Sequence, residues 1–100
     1  MSDHFKLAPK EFEALQLLIN HGELYGLDIV KRSESLKRGT IYVVLSRMAE
    51  KGFVESRLSK EKSGGPPRRR FKATALGVRA ANAAEAAKEA FAGNLNWGTV

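Results

Sequence analysis

Cysteine is absent from the 100-residue chain, which excludes a disulfide framework, a thiolate zinc site and a thiol nucleophile. Histidine is nearly absent: His4 and His21 stand alone, with no acidic partner at a ligand spacing such as i, i+4, so no metal is expected. Apolar runs reach only a few residues, against the ~20 that a membrane-spanning helix needs. The start, Met1-Ser2-Asp3-His4, lacks the basic-then-apolar order of a secretion signal, and a cytoplasmic location is expected. Ser63-Gly64-Gly65 lacks the Lys-Ser/Thr ending of a phosphate-binding loop. No enzyme signature is present, and no cofactor is expected. One small domain is expected, and a domain of this size hides only about 60–65% of its unfolded surface, so a second copy would add core.

What the chain does have is positive charge in one place. Its net charge is +6. Between Lys51 and Lys72 lie eight bases (Lys51, Arg57, Lys60, Lys62, Arg68, Arg69, Arg70 and Lys72) against two acids, Glu55 and Glu61. The remainder balances nine bases with nine acids, so the whole net charge belongs to this segment. A charge run is often only a solvated face, but these bases flank a turn signal, Gly64-Gly65-Pro66-Pro67.

Hydrophobic periodicity predicts a first helix from Pro9, with Phe12, Leu15, Leu18 and Ile19 on one stripe and Gly22 as a left-handed C-terminal cap. A shorter helix follows over Leu24–Arg32, in which Tyr25 and Asp28 are expected to pack and cap. A polar break, Ser33-Glu34-Ser35-Leu36, precedes a third helix from Arg38-Gly39-Thr40 to Gly52. Ile41, Val44, Leu45 and Met48 form its inward stripe, while Thr40, Val43, Arg47 and Glu50 face outward with Tyr42 and Ser46 on the flanks.

The period then changes from 3.6 to 2. Phe53–Leu58 alternates like a half-buried strand, and Arg68–Lys72 is its antiparallel partner across a polar tip, Ser59–Pro67. If Phe71 points inward, Arg68, Arg70 and Lys72 point together into solvent. Thr74 is the expected N-cap of a final helix over Ala75–Ala92, with a seam of small residues at Leu76, Ala80, Ala83, Ala87 and Ala90. Gly93-Asn94-Leu95-Asn96-Trp97-Gly98 is expected to be a terminator and tail, with Trp97 loosely packed.

The order helix, helix, helix, strand, basic loop, strand, helix predicts a mainly α fold with a small β-hairpin: a winged helix-turn-helix over residues 1–73, then a C-terminal dimerisation helix and tail over 74–100. Duplex DNA fits this arrangement, because its major groove admits one helix and its phosphates reward Lys and Arg on a flanking wing. The expected DNA contacts are Lys37, Arg38, Thr40, Tyr42, Val43, Ser46 and Arg47 on the third helix and its approach. On the wing they are Lys60, Lys62, Arg68, Arg69, Arg70 and Lys72. Some roles stay open at this level. Tyr42 turns either its hydroxyl to DNA or its ring to the core, and Thr40 caps the helix, ligates a phosphate or does both. Arg47 meets DNA or pairs with Glu50 or Glu55, and Arg69 is the wing arginine expected to be structural. A second reading of the same fold is a protein-protein interaction module whose wing binds an acidic partner.

The ordered motifs resemble those of the PadR-like winged-helix transcriptional regulators. Leu24-Tyr25-Gly26-Leu27-Asp28-Ile29 is similar to that family's YG-x-x-I helix, and Leu36-Lys37-Arg38-Gly39-Thr40-Ile41-Tyr42 to its L-S-x-G-T-[LI]-Y start of the recognition helix. Leu45–Val54 and Arg69-Arg70-Phe71-Lys72-Ala73-Thr74-Ala75-Leu76-Gly77 complete the set, which spans roughly residues 7 to 77. Val43 departs from the usual Pro, Ala73 from a larger aliphatic residue, and Arg70 from a second aromatic or Lys. The resemblance implies a homodimeric repressor of the short C-terminal form, reading a pseudo-palindromic operator. Leu76, Ala80, Ala83, Ala87, Ala90 and Phe91 would make the dimer contact. The resemblance also implies a small aromatic effector near that interface.

Overall fold

The computed structural model describes residues 7–59, 65 and 67–98, with side chains as far as Glu89. Its elements run α1 (Pro9–His21), β1 (Leu24–Tyr25), α2 (Gly26–Arg32), α3 (Arg38–Glu50), β2 (Val54–Ser59), β3 (Arg68–Ala73) and α4 (Ala75–Gly98). The architecture is mainly helical, with a small antiparallel sheet in the order β1-β3-β2.

Helix α1 begins where its residues allow it to begin. Pro9 occupies the first turn, where a missing N–H costs nothing, and the Glu11 carboxylate accepts the Ala8 N–H at 3.0 Å. The helix stops at Gly22, whose N–H reaches Leu18 O at 2.8 Å. Gly22 has φ 81° but ψ −145°, so the expected left-handed cap is corrected: the backbone is extended there, in a region open to glycine alone.

The second helix is shorter than the pattern suggests. Leu24 and Tyr25 form a strand paired with β3, in the register Leu24↔Phe71 and Tyr25↔Arg70. Pairing buries Leu24 beside Phe71, and the Asp28 carboxylate accepts the Tyr25 N–H at 3.2 Å, which sets the start of α2 at Gly26. A two-residue strand has no periodicity of its own, and the hairpin consequently becomes a three-stranded sheet.

The core draws on every layer: Ala14, Leu15 and Leu18 from α1, Ile29 from α2, and Ile41, Leu45 and Met48 from α3, closed below by Phe53, Val54 and Phe71. Each such large side chain contributes about 1.5–3 kcal/mol when fully buried. β2 does not alternate as expected. Its Val54 is buried and the rest of the strand is largely exposed. Phe53, expected in the strand, instead closes α3 through its N–H to Met48 O at 2.8 Å.

Thr74 joins this layer to α4. Its hydroxyl donates to Gly52 O at 2.6 Å and accepts the Gly77 N–H at 3.0 Å. A Cβ on Gly77 would lie 2.1 Å from Phe53 O, so only glycine lets α4 sit this close. Helix α4 continues to Gly98, which corrects the expected stop at Ala92. One Gly costs a long helix only about 1 kcal/mol relative to Ala, and no proline follows. Gly77 and Ala81 face the body, whereas Leu76, Ala83 and Ala87 are exposed.

Candidate nucleic-acid interface

Helix α3 is sharply two-faced. Ile41, Leu45 and Met48 are fully buried, while Thr40, Tyr42, Val43, Ser46 and Arg47 are all exposed. Its first turn is capped by no side chain. Lys37 is the N-cap residue, and its carbonyl takes the N–H groups of Thr40 (3.1 Å) and Ile41 (2.9 Å). Thr40 is therefore not the cap, a correction to one expectation; its hydroxyl donates to Lys37 O at 3.3 Å. Lys37, Arg38 and Gly39 lie exposed around this positive helix end.

Tyr42 is half exposed, and its ring does not enter the core. The ring lies on the backbone of Gly26, where an added Cβ would meet it at 2.8 Å. Gly26, the first residue of α2, thus makes a flat seat for α3. Arg47 makes no ion pair with Glu50 or Glu55 among the described residues, so its guanidinium stands free on the outward face. Beside it a shallow apolar groove of about 320 Å³ is lined by Ala8, Pro9, Lys10, Glu11, Val44 and Arg47.

The wing is built differently, because its bases have partners. The register places Arg57 opposite Arg70, and Arg70 opposite Tyr25. The Arg68 guanidinium lies 4.1 Å and that of Arg70 5.1 Å from the Tyr25 ring centre, close enough for cation–π attraction. Glu23 closes the group, taking Arg57 at 2.8 Å and Arg70 at 3.5 Å. The Tyr25 hydroxyl lies 3.4 Å from Ser59 Oγ. Arg68, Arg70 and Lys72 do share a face, but the first two lie across Tyr25 instead of projecting together into solvent. Arg70, half-buried with two kinds of partner, is more committed to structure than Arg69, which only donates to Ser56 Oγ at 3.0 Å.

Lys51 leaves the basic surface altogether. Its ammonium donates to both oxygens of the buried Glu11, at 2.9 and 3.2 Å, tying the end of α3 to α1. Lys60 and Lys62 lie outside the described residues, as do the side chains of Ala90 and Phe91. Of the expected wing contacts, Arg68, Arg69 and Lys72 have no carboxylate partner among the described residues.

Tyr25, Glu23 and Glu11 were not legible as partners. Their contacts depend on β1 pairing and on the packing of α1, and nothing in local spacing reports either. A second cleft, of about 370 Å³, separates α1 from α4 and is lined by Leu7, Pro9, Phe12, Ala84 and Lys88. The Lys88 ammonium lies 5.3 Å from the centre of the Phe12 ring. No group of metal-ligating side chains occurs among the described residues, nor any helix long and apolar enough to cross a membrane.

A two-faced helix beside a basic hairpin agrees with the family comparison. The family model described as the transcriptional regulator PadR-like family matches residues 14–83. The chain belongs to the PadR-like family of transcriptional regulators. Among solved structures, a PadR family transcription regulator from Clostridium difficile is 28% identical, with a TM-score of 0.75 over 90% of this chain and 97% of that one. A PadR-like transcription factor from Bacteroides fragilis gives a TM-score of 0.78 at 23% identity, over 87% of this chain and 86% of that one. Bacillus subtilis PadR in complex with operator DNA gives a TM-score of 0.65 at 23% identity, over 77% of this chain and 46% of that one. The last two likenesses show the PadR-like fold alone. No curated protein matches the chain in sequence.

Proposed function

We propose that this PadR-like protein is a sequence-specific DNA-binding repressor that acts as a homodimer in the cytoplasm. The observation that carries the reading is the exposed face of α3, whose Tyr42, Val43, Ser46 and Arg47 project away from a fully buried inner stripe. A face of this composition fits base edges in a major groove, with Arg47 suited to guanine and Val43 to a thymine methyl group. Lys37, Arg38 and the uncapped start of α3 fit a phosphate, and Thr40 reaches the same place. Arg68, Arg69 and Lys72 then neutralise phosphates beside the groove, joined by Arg70 and by Lys60 and Lys62 of the tip. The structure of a relative with its operator supports this reading.

Residues 1–73 would form the reading head and 74–100 the dimerisation element. The exposed small residues of α4, Leu76, Ala83 and Ala87, together with Ala80 and with Ala90 and Phe91 further along, supply the seam on which a second α4 would pack. Two heads related by a two-fold axis read a pseudo-palindrome whose half-sites lie about 10 bp or a multiple apart. The cleft between α1 and α4 is the place for a small aromatic effector. Regulation of this kind calls for no catalytic step, and no residue is assigned one.

A gel-shift titration against the DNA upstream of its own coding region, at two salt concentrations, tests the proposal. Specific binding should weaken by about 10³-fold or more between 50 and 200 mM salt if roughly six phosphates are neutralised. Equal affinity for operator and unrelated duplex at every salt concentration would overturn it.

A further inference from the structure

The loop between α2 and α3 is short, polar and held almost wholly by one carboxylate from another helix. Glu13 of α1 accepts hydrogen bonds from the Ser33 hydroxyl, from the Ser35 hydroxyl at 2.5 Å and from the Glu34 N–H at 3.1 Å. Ser33 passes the constraint on. Its Oγ accepts the N–H groups of Ser35 at 3.1 Å and Leu36 at 2.8 Å. Four successive residues are thus fixed from a single point on α1, and the sole apolar anchor of the loop is the buried Leu36.

These residues set the angle at which α3 leaves α2. The first residue of α3, Arg38, lies two positions beyond Leu36, so any change in the loop torsions is transmitted straight to the outward face. Neither Glu13 nor the rest of α1 carries a side chain assigned to DNA. We propose that Glu13 is a positioning residue for sequence recognition, acting through Ser33 and Ser35 to aim the recognition helix. The inference rests on the DNA-binding reading above.

Two properties separate aiming from folding. Base contacts require placement to within roughly 0.5 Å and 10–20°, whereas phosphate contacts from flexible Lys and Arg tolerate a misplaced helix. The core beneath α3 does not involve Glu13. Losing the clamp therefore costs discrimination before it costs stability or non-specific affinity. The carboxylate also has a conservative substitute, because a glutamine offers one acceptor and one donor, and the rotatable serine hydroxyls can meet both.

The test uses the full chain and two duplexes: the sequence the unaltered protein enriches from a randomised pool, and a shuffled duplex of equal composition. The readout is the ratio of the two affinities. Glu13→Ala should lower that ratio on the order of tenfold, the cost of about one lost base-pair contact, with affinity for the shuffled duplex within about twofold. Glu13→Gln should retain most of the ratio. The Ser33→Ala/Ser35→Ala pair should reproduce the loss, and adding Glu13→Ala to it should deepen the loss no further.

An unchanged ratio in Glu13→Ala, or a proportional fall in both affinities, overturns the proposal. If Glu13→Ala does not fold, Ser35→Ala removes one arm of the clamp and should give a smaller drop in the same ratio; no drop overturns it. Failure of the DNA-binding reading shows in the unaltered protein alone, as no enriched sequence, and would take this inference with it.

Discussion

The outward face of α3 and the β2–β3 wing are both exposed and both proposed to meet DNA, yet they are built by opposite means. On α3, Tyr42 rests its ring on Gly26, while Val43, Ser46 and Arg47 have almost nothing among the described residues to hold them except the helix itself. Their direction comes from the buried Ile41, Leu45 and Met48 on the other side and from the Glu13-held loop that precedes the helix. On the wing, the arginines are held from β1 and the residue before it: Arg68 and Arg70 across Tyr25, Arg57 and Arg70 on Glu23. A face aimed by its backbone suits the reading of bases. A face of bases only partly neutralised, by Glu23 at Arg57 and Arg70, suits a reserve of affinity that an internal carboxylate can temper.

The strongest way to break the comparison is to remove the wing bases that have no carboxylate partner among the described residues. Arg68→Ala, Arg69→Ala and Lys72→Ala together should weaken operator and unrelated DNA alike, by roughly a hundredfold. The slope of log affinity against log salt should fall by about 2–3 if each base neutralises one phosphate. Titration across a salt series measures both. A loss confined to the operator would assign these residues to sequence reading and collapse the distinction between the two regions.

Arg47→Ala is the reciprocal change, with the next largest effect. It should cost about 1–3 kcal/mol, or roughly 5–150-fold, against the preferred duplex, and leave unrelated DNA nearly unaffected. Val43→Ala should be milder. If Val43 reads a thymine methyl group as proposed, replacing that thymine by uracil should abolish the difference between the unaltered protein and the Val43→Ala variant. Competition binding with paired duplexes checks both predictions.

How much of this was legible in advance divides along the same line. The α3 face could be read from the sequence, because a helix fixes which side chains share a face, and Ile41, Leu45 and Met48 declare the buried one. The order of elements, β1 apart, and the basic hairpin were equally open, since the apolar period changes at Gly52 and the charge concentrates after it. The partners on the wing were not. Glu23 meets Arg57 and Arg70 only because Leu24 and Tyr25 pair with β3, and a two-residue strand leaves no pattern. Glu11 and Glu13 lie in a helix that reads as ordinary and amphipathic. That one grips Lys51 and the other the Ser33–Ser35 loop follows from tertiary placement alone.

Glu23→Gln sharpens the comparison from the other side, with a smaller effect of opposite sign. The carboxylate occupies two guanidiniums whose natural ligand on DNA is a phosphate, so its removal should raise affinity for any duplex a few-fold at low salt. Exposed pairs are worth only about 0–1 kcal/mol, which bounds the gain. The gain should fade as salt screens it. Measured affinity that falls instead would mean that Glu23 orients Arg57 and Arg70 for DNA and does not compete with it.

The smallest expected effect concerns the base of α3, and it has a definite sign. Hydrogen bonds from the hydroxyls of Ser33, first, and Ser35, with the Glu34 N–H, hold the Glu13 carboxyl below the ordinary glutamate value. A carboxyl whose pKa is depressed by folding contributes stability above its unfolded pKa, near 4.3, and loses that contribution as pH falls through the folded value. Glu13 stays in contact with solvent, so the contribution should stay under about 1 kcal/mol. The stability difference between the unaltered protein and Glu13→Gln, read from denaturant midpoints, should therefore be level from neutral pH down to about pH 5 and shrink below it. A difference that grew toward low pH would mean that the neutral carboxylic acid is the better ligand for the two serines. The loop would then tighten on protonation, and the recognition helix would be held by an uncharged network like the rest of its inner side.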